Sequence, residues 1–185
     1  WLGKKVKEVD VAGKVESHLR PEFDAKMRKY FRSRGRVFRC TPPRITQGGT
    51  SGGACVISNP GKEILNDIPS WADESARLGG PDWVGVIVRT RRTSILLVFA
   101  YFNWNDPARC HTMMNQIINT KKALGYPAIL TADFNKTPEE IKEMGWAELF
   151  QGDIQVPTDE YGEPLDWTCR NPQNSRVIDF SLVSW

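Results

Sequence analysis

The stretch that most constrains this chain is "AILTADFNKTPEEI", residues 128–141, where an apolar run ends in polar residues and a helix start. The apolar part predicts a buried strand. Thr137 and Glu140 have capping-box spacing, with Pro138 between them, so a helix should begin at once. A buried strand that leads directly into a capped helix is typical of a layered α/β domain with sheet at its centre.

The rest of the chain continues this alternation of strands and helices. Two further helices are predicted, each with Pro in its first turn and Gly past its end, over 20–35 and 106–125. Strands are predicted over 36–40, 53–58, 83–90, 93–101 and 176–184, and the third and fourth form a hairpin that turns at Arg91 and Arg92.

Three finer expectations concern burial and loops. The strand over 93–101 is apolar enough to be fully buried. Phe23, Met27, Tyr30 and Phe31 should form one apolar stripe on the first helix. A Gly-rich loop should join the strands 36–40 and 53–58, and residues 151–175 should be mostly loop.

Composition restricts the class of protein. The 185 residues suit one domain, and no apolar run of about 18 residues could span a membrane. The four cysteines form no C-x-x-C pair, so free thiols are expected rather than disulfides, which favours a reducing intracellular compartment. Residues 1–44 carry 13 Lys and Arg against five Asp and Glu, so the basic charge is concentrated there.

Asp133 and Asn135 are the first candidates for chemistry. Side chains two residues apart on a strand share a face, so both should emerge where the strand ends. Ligands favour strand ends in α/β proteins, and a helix N-terminus offers free N–H groups to an anion. A simple turn is the alternative, because Asp and Asn are common turn formers.

Five motifs in order decide between these alternatives. They are "VESHL" at 15–19, "GGTSGGACVIS" at 48–58, "LLVFAYFN" at 96–103, "ADFNKTPEEI" at 132–141 and "SRVIDFSLVS" at 175–184. Together they resemble the endonuclease/exonuclease/phosphatase superfamily. The resemblance implies an α/β two-sheet sandwich flanked by helices, the deoxyribonuclease I-like fold. It also implies hydrolysis of a phosphodiester or phosphomonoester.

The resemblance assigns a role to each matching residue. Glu16 matches the ligand of a divalent metal, Mg²⁺ or Mn²⁺. Tyr101 matches the tyrosine that hydrogen-bonds the phosphate, and Asn135 matches the residue that holds a phosphate oxygen. Asp133 matches the residue that positions or deprotonates the attacking water. Asp179 matches the carboxylate that orients a catalytic histidine. Trp167 and Phe180 lie near these segments and are pocket or core aromatics.

Two family features have no match here. The first-strand Asn does not appear in "WLGKKVKEVDVAGKV", and neither His18 nor His111 matches the histidine of the family's terminal S-D-H. We therefore expect residues 1–185 to be a single partial domain that lacks the fold's first and last strands and hydrolyses phosphoesters poorly. A catalytically silent domain, acting as a binding or structural subunit of a larger assembly, stays open beside the phosphoesterase.

The partner is a phosphate-containing substrate, whose identity the residues leave open. The basic segment Lys26–Arg39 suits a nucleic-acid backbone. It equally suits an acidic protein partner or a membrane surface, and a solvated helix face is the plainer alternative.

Overall fold

The chain alternates short strands with four helices in the part that the structure covers. This computed structural model describes residues 10–17, 19, 21–41, 44–46, 49–60, 64–65, 78–170 and 175–185. The helices there are α1 Pro21–Arg32, α2 Pro107–Leu124, α3 Pro138–Glu143 and α4 Trp146–Phe150. The strands are β1 Val11–Val15, β2 Phe38–Cys40, β3 Arg44–Thr46, β4 Gly49–Ser51, β5 Ala54–Ser58, β6 Ile64–Leu65, β7 Gly79–Gly80, β8 Trp83–Arg89, β9 Ser94–Tyr101, β10 Ala128–Asp133, β11 Asp153–Gln155, β12 Cys169–Arg170, β13 Ser175–Arg176 and β14 Asp179–Ser184.

Two sheets form the centre of the domain. The small sheet has the strand order β1-β5-β2, and the large sheet has the order β11-β14-β10-β9-β8-β6, with β7 also paired to β8. Strands β9 and β10 are parallel and are joined through α2, while the other pairs in both sheets are antiparallel. Two short hairpins, β3–β4 and β12–β13, lie outside them.

Apolar residues divide the domain into layers. Helix α1 packs on the outer face of the small sheet through Phe31, Phe38, Cys55 and Ile57. The inner face of the small sheet packs on β8 of the large sheet through a cluster of Ala54, Val56, Val84 and Val86. The largest cluster lies on the other face of the large sheet, beneath α2, α3 and α4. The architecture is therefore a two-sheet α/β sandwich flanked by helices, as the sequence predicted.

Gly13 allows the two sheets to approach each other closely. A Cβ atom there would lie 2.0 Å from the Phe99 ring of β9. Any side chain at this position would therefore require either the Phe99 ring or β1, which leads into Glu16, to shift.

Most of the predicted elements are confirmed. The hairpin turns at Thr90–Thr93 as expected. Helix α2 is capped by Asp106 and ends at Gly125, whose φ is 63°. Helix α3 begins with the full capping box of Thr137 and Glu140. All four cysteines are free thiols.

The burial of β9 was predicted wrongly. Its residues alternate between buried and half-buried instead of being fully buried. Leu96, Val98 and Ala100 face the main core, whereas Leu97 and Phe99 face the narrower small sheet, which covers them only in part.

The prediction of one apolar stripe on α1 was also wrong in part. Phe31 is buried and Met27 is partly buried, but Phe23 and Tyr30 are 46% and 49% exposed. The reason is that α1 contacts the small sheet through one narrow edge, so only the residues on that edge are covered.

Two predicted loops contain additional strands. Strands β3 and β4 pair within the Gly-rich loop, and β11 within 151–175 pairs with β14. Each of these strands is only three residues long, too short to give a readable alternation. Within the described residues, no helix is both long and apolar enough to cross a membrane.

Candidate active site

Three of the predicted site residues lie side by side at one edge of the large sheet. Asp133, at the end of β10, is the register partner of Tyr101, at the end of β9. It is also the register partner of Asp179, at the start of β14. All three are half-buried and project from the face of the sheet opposite the main core. Neighbouring strands lie about 4.8 Å apart, so the row brings a phenol and two carboxylates into close proximity.

An aromatic ladder lies directly behind this row. Each site residue is followed in sequence by a phenylalanine that points the other way, and all three are buried: Phe102, Phe134 and Phe180. Phe134 stacks on Phe180 with ring centroids 4.3 Å apart and on Phe102 with centroids 5.2 Å apart. Because successive strand residues alternate in direction, packing of this ladder fixes the direction of the polar row.

Glu16 and Asn135 join the row through the hydroxyl group of Tyr101. Both side chains hydrogen-bond to Tyr101. Asn135 Nδ2 also donates to the Phe102 carbonyl at 3.1 Å. Glu16 and Asn135 have φ angles of 48° and 50°, a left-handed conformation that Asn tolerates but that Glu seldom adopts. Backbone strain of this kind often marks a functional site.

The environment of Asp133 changes its acidity. Burial raises the pKa of this carboxyl to about 7, and the nearby Asp179 carboxylate contributes to the rise. The Asn135 N–H, which donates to Asp133 Oδ1 at 3.0 Å, opposes it, and Glu16 adds a smaller upward effect. Burial also raises the pKa of Tyr101 well above its usual range, and Glu16 raises it further, so the phenol stays protonated.

Asp179 is held by a residue that the sequence reasoning missed. The backbone N–H groups of Ile178 and Asp179 both donate to Thr168 Oγ1, at 3.0 and 2.9 Å. Thr168 therefore fixes the start of β14. A Thr in a polar segment gives no sequence signal for such a contact.

The other residues singled out from the sequence lie elsewhere. Phe180 belongs to the core ladder, and the neighbouring Trp167 is 44% exposed. His111 is exposed on α2, where its ring contacts Trp104 and Trp146 edge-on. His18 and residues 1–9 lie outside the described part of the chain.

The charge distribution suits a hard cation. The charges of Asp179 and Glu16 both raise the pKa of Asp133, so negative charge is concentrated at this edge of the sheet. Mg²⁺ prefers oxygen ligands and keeps several waters, so one or two carboxylates suffice. No three acidic, histidine or cysteine side chains of the described residues form a metal-binding group by themselves. The fit is therefore to an ion that is shared with water and substrate oxygens.

Comparison with known proteins places this geometry in context. No family model matches the chain, and no curated protein matches it in sequence. Solved structures do match. The endonuclease domain of TRAS1, a telomere-specific non-LTR retrotransposon, is 16% identical with a TM-score of 0.59, over 99% of this chain and 76% of that one. The human Nocturnin catalytic domain with bound sulfate is 12% identical with a TM-score of 0.61, over 96% and 70%.

A bacterial structure carries the family name itself. The endonuclease/exonuclease/phosphatase protein from Bacteroides vulgatus is 17% identical with a TM-score of 0.57, over 99% of this chain and 76% of that one. The chain thus has the fold of the endonuclease/exonuclease/phosphatase proteins, and the resemblance seen in the sequence motifs is confirmed at the level of the fold.

Proposed function

We propose that this protein is a metal-dependent phosphoester hydrolase whose substrates include nucleic acid. The observation that carries the proposal is the convergence of Glu16, Tyr101, Asp133, Asn135 and Asp179 at one edge of the large sheet. Tyr101, Asp133 and Asp179 lie on three neighbouring strands, and Glu16 and Asn135 lie just after β1 and β10. The five residues come from four of the five sequence motifs.

Each side chain has a chemical role in this proposal. Asp133, half-buried beside Asp179, accepts a proton from the attacking water as a general base. The protonated Tyr101 hydroxyl and the Asn135 amide donate hydrogen bonds to phosphate oxygens as negative charge develops on them. Asp179 lies beside Asp133 on β14 and matches the carboxylate that, as the family resemblance implies, orients a histidine for which neither His18 nor His111 is a match.

Glu16 would hold the metal, with water and substrate oxygens completing the shell. Mg²⁺ or Mn²⁺ supplies Lewis-acid stabilisation of the charge on the phosphoryl group. Ion binding would also relieve the repulsion among the carboxylates, which contributes to the raised pKa of Asp133.

The proposal that nucleic acid is a substrate rests on the charge of α1. Its exposed surface carries five cations, Lys26, Arg28, Lys29, Arg32 and, just past its end, Arg34, against two acids. One of those acids, Asp24, is already paired with Arg28 at 2.7 Å. Arg34 lies over the exposed Tyr30 ring at 3.7 Å, so ring and guanidinium form one surface. Such a surface suits a phosphodiester backbone, and an acidic protein partner would compete for it.

Hydrolysis of bis-(p-nitrophenyl) phosphate and of a DNA duplex tests the proposal, each with Mg²⁺, with Mn²⁺ and with chelator. We expect weak, metal-dependent turnover that Glu16→Gln abolishes, and calorimetry should show weaker Mg²⁺ binding in that variant. Equal metal affinity in the two proteins would remove Glu16 from the site. If the protein binds metal and DNA but shows no turnover, even when imidazole is added, the catalytically silent binding domain would be favoured.

A further inference from the structure

The turn before β8 contains a buried carboxylate that the chemistry above does not use. Asp82 is 1% exposed, and its φ of 68° places its backbone in the left-handed region. Arg109, near the start of α2, donates to Asp82 Oδ2 at 2.8 Å. A buried carboxylate costs much free energy unless it is paired, so its retention here calls for a structural reason.

The second oxygen of this carboxylate reaches across to the small sheet. Asp82 Oδ1 accepts a hydrogen bond from the Gly53 N–H at 3.1 Å. Gly53, directly before β5, in turn accepts through its carbonyl from the Ser17 N–H at 3.0 Å. Ser17 follows Glu16, so two hydrogen bonds connect Asp82 to the backbone that presents the candidate metal ligand.

The backbone of the same residue reaches the other side of the site. The Asp82 carbonyl accepts from the Tyr101 N–H at 2.9 Å. Asp82 therefore bonds both to the segment that carries Tyr101 and to the loop next to Glu16, which belong to different sheets. The Glu16 carboxylate and the Tyr101 hydroxyl meet in the site itself.

Gly52 shows how tightly these parts fit together. A Cβ atom at Gly52 would lie 2.3 Å from Asp82 Oδ1 and 3.5 Å from the Tyr101 ring. The φ of Gly52 is 77°, which also favours glycine. Gly52 and Gly53 of the "GGTSGGACVIS" motif thus let the loop approach the Asp82 carboxylate closely.

We propose that Asp82 is a positioning residue that sets Glu16 against Tyr101 across the gap between the two sheets, with Arg109 as its counter-ion. The inference rests on the proposed function, because Glu16 and Tyr101 are its site residues. Residues that orient a metal ligand typically change metal affinity or activity 10- to 100-fold when they are replaced.

Two variants separate the carboxylate from its backbone. Asp82→Gly removes the side chain but keeps a residue that adopts φ of 68° readily. Asp82→Asn keeps an oxygen that can accept from Gly53 and also tolerates this φ. The control is a core substitution under α2, Ile117→Val or Ile117→Ala, chosen to match the loss of unfolding free energy in Asp82→Gly. Ile117 is buried in the main cluster, away from the site.

The first measurement is Mg²⁺ affinity by calorimetry, at a temperature where all variants are folded. We expect Asp82→Gly to bind Mg²⁺ about 10- to 100-fold more weakly than wild type, Asp82→Asn to recover most of the loss, and the Ile117 control to stay near wild type. Turnover should follow the same order, with the loss in kcat rather than in KM for a small diester. Equal Mg²⁺ affinity in Asp82→Gly and in the control would reduce Asp82 to a purely structural residue.

Amide hydrogen exchange keeps the test independent of the proposed function. The Ser17 and Gly53 amides should exchange at least about tenfold faster in Asp82→Gly than in the control of equal stability. If wild type binds no Mg²⁺, the metal-dependent function fails, and exchange at Ser17 alone decides whether Asp82 holds the Glu16 loop. Unchanged exchange at Ser17 would overturn the inference whatever the metal result.

Discussion

Replacing Asp133 with Asn should stabilise the protein, and should do so only at higher pH. The pKa of Asp133 rises from 3.8 to about 7 on folding, mainly because of burial and of the Asp179 carboxylate. The native state therefore holds this proton more tightly than the unfolded state does. The stability that Asp133 contributes through this shift is fully present below about pH 4 and is lost as the pH rises through 7. Asn carries no charge, so Asp133→Asn should lack this loss.

The size of this effect on the free energy of unfolding follows from the shift in the pKa of Asp133. A rise of about three pKa units corresponds to about 4 kcal/mol at 1.36 kcal/mol for each unit. Asp133 is only half-buried, and solvent screening reduces that figure to about 2 kcal/mol. The hydrogen bond from the Asn135 N–H can persist, since the Asn carbonyl oxygen replaces Oδ1.

Urea unfolding followed by tryptophan fluorescence, from pH 4 to pH 8, measures this effect. Asp133→Asn should have the stability of wild type near pH 4 and should exceed it by about 2 kcal/mol at pH 8. Asp153→Asn, which removes an exposed carboxylate from β11, is the matched control and should show no such divergence. If both variants follow the same pH profile, the burial and carboxylate repulsion inferred for Asp133 are wrong.

Three further predictions test the site, its support and its surroundings. Tyr101→Phe should lower kcat about 10²- to 10³-fold with little change in melting temperature, because it removes one donor to the phosphate. Tyr161, which is 83% exposed, provides the control variant Tyr161→Phe. Equal kcat in the two variants would exclude Tyr101 from the catalytic site. Phe134→Ala should cost about 3–5 kcal/mol of unfolding free energy, since it opens a cavity in the aromatic ladder, and a cost below about 1 kcal/mol would contradict that packing. Replacing Lys26, Lys29 and Arg32 together with Gln should lower the slope of log affinity for DNA against log salt by up to about 3, and an unchanged slope would place nucleic acid elsewhere.

The sequence alone determined the local features of this fold. Caps such as Asp106 and Thr137 depend on neighbours within one helical turn, so residue type and spacing suffice to place them. The same holds for the position of Asp133 at the end of a buried strand. The order of five motifs then added the two-sheet fold, through its resemblance to the endonuclease/exonuclease/phosphatase superfamily.

Only the tertiary structure decided what surrounds those residues. Asp179 lies 46 positions after Asp133 and becomes its neighbour only because β14 pairs antiparallel with β10. The raised pKa of Asp133 comes from through-space burial and charge, which sequence spacing does not encode. The half-burial of β9 depends on the width of the small sheet above it, and the role of Asp82 depends on contacts from Gly53, Tyr101 and Arg109. These residues are distant in sequence, so no local pattern could have joined them before the two sheets packed together.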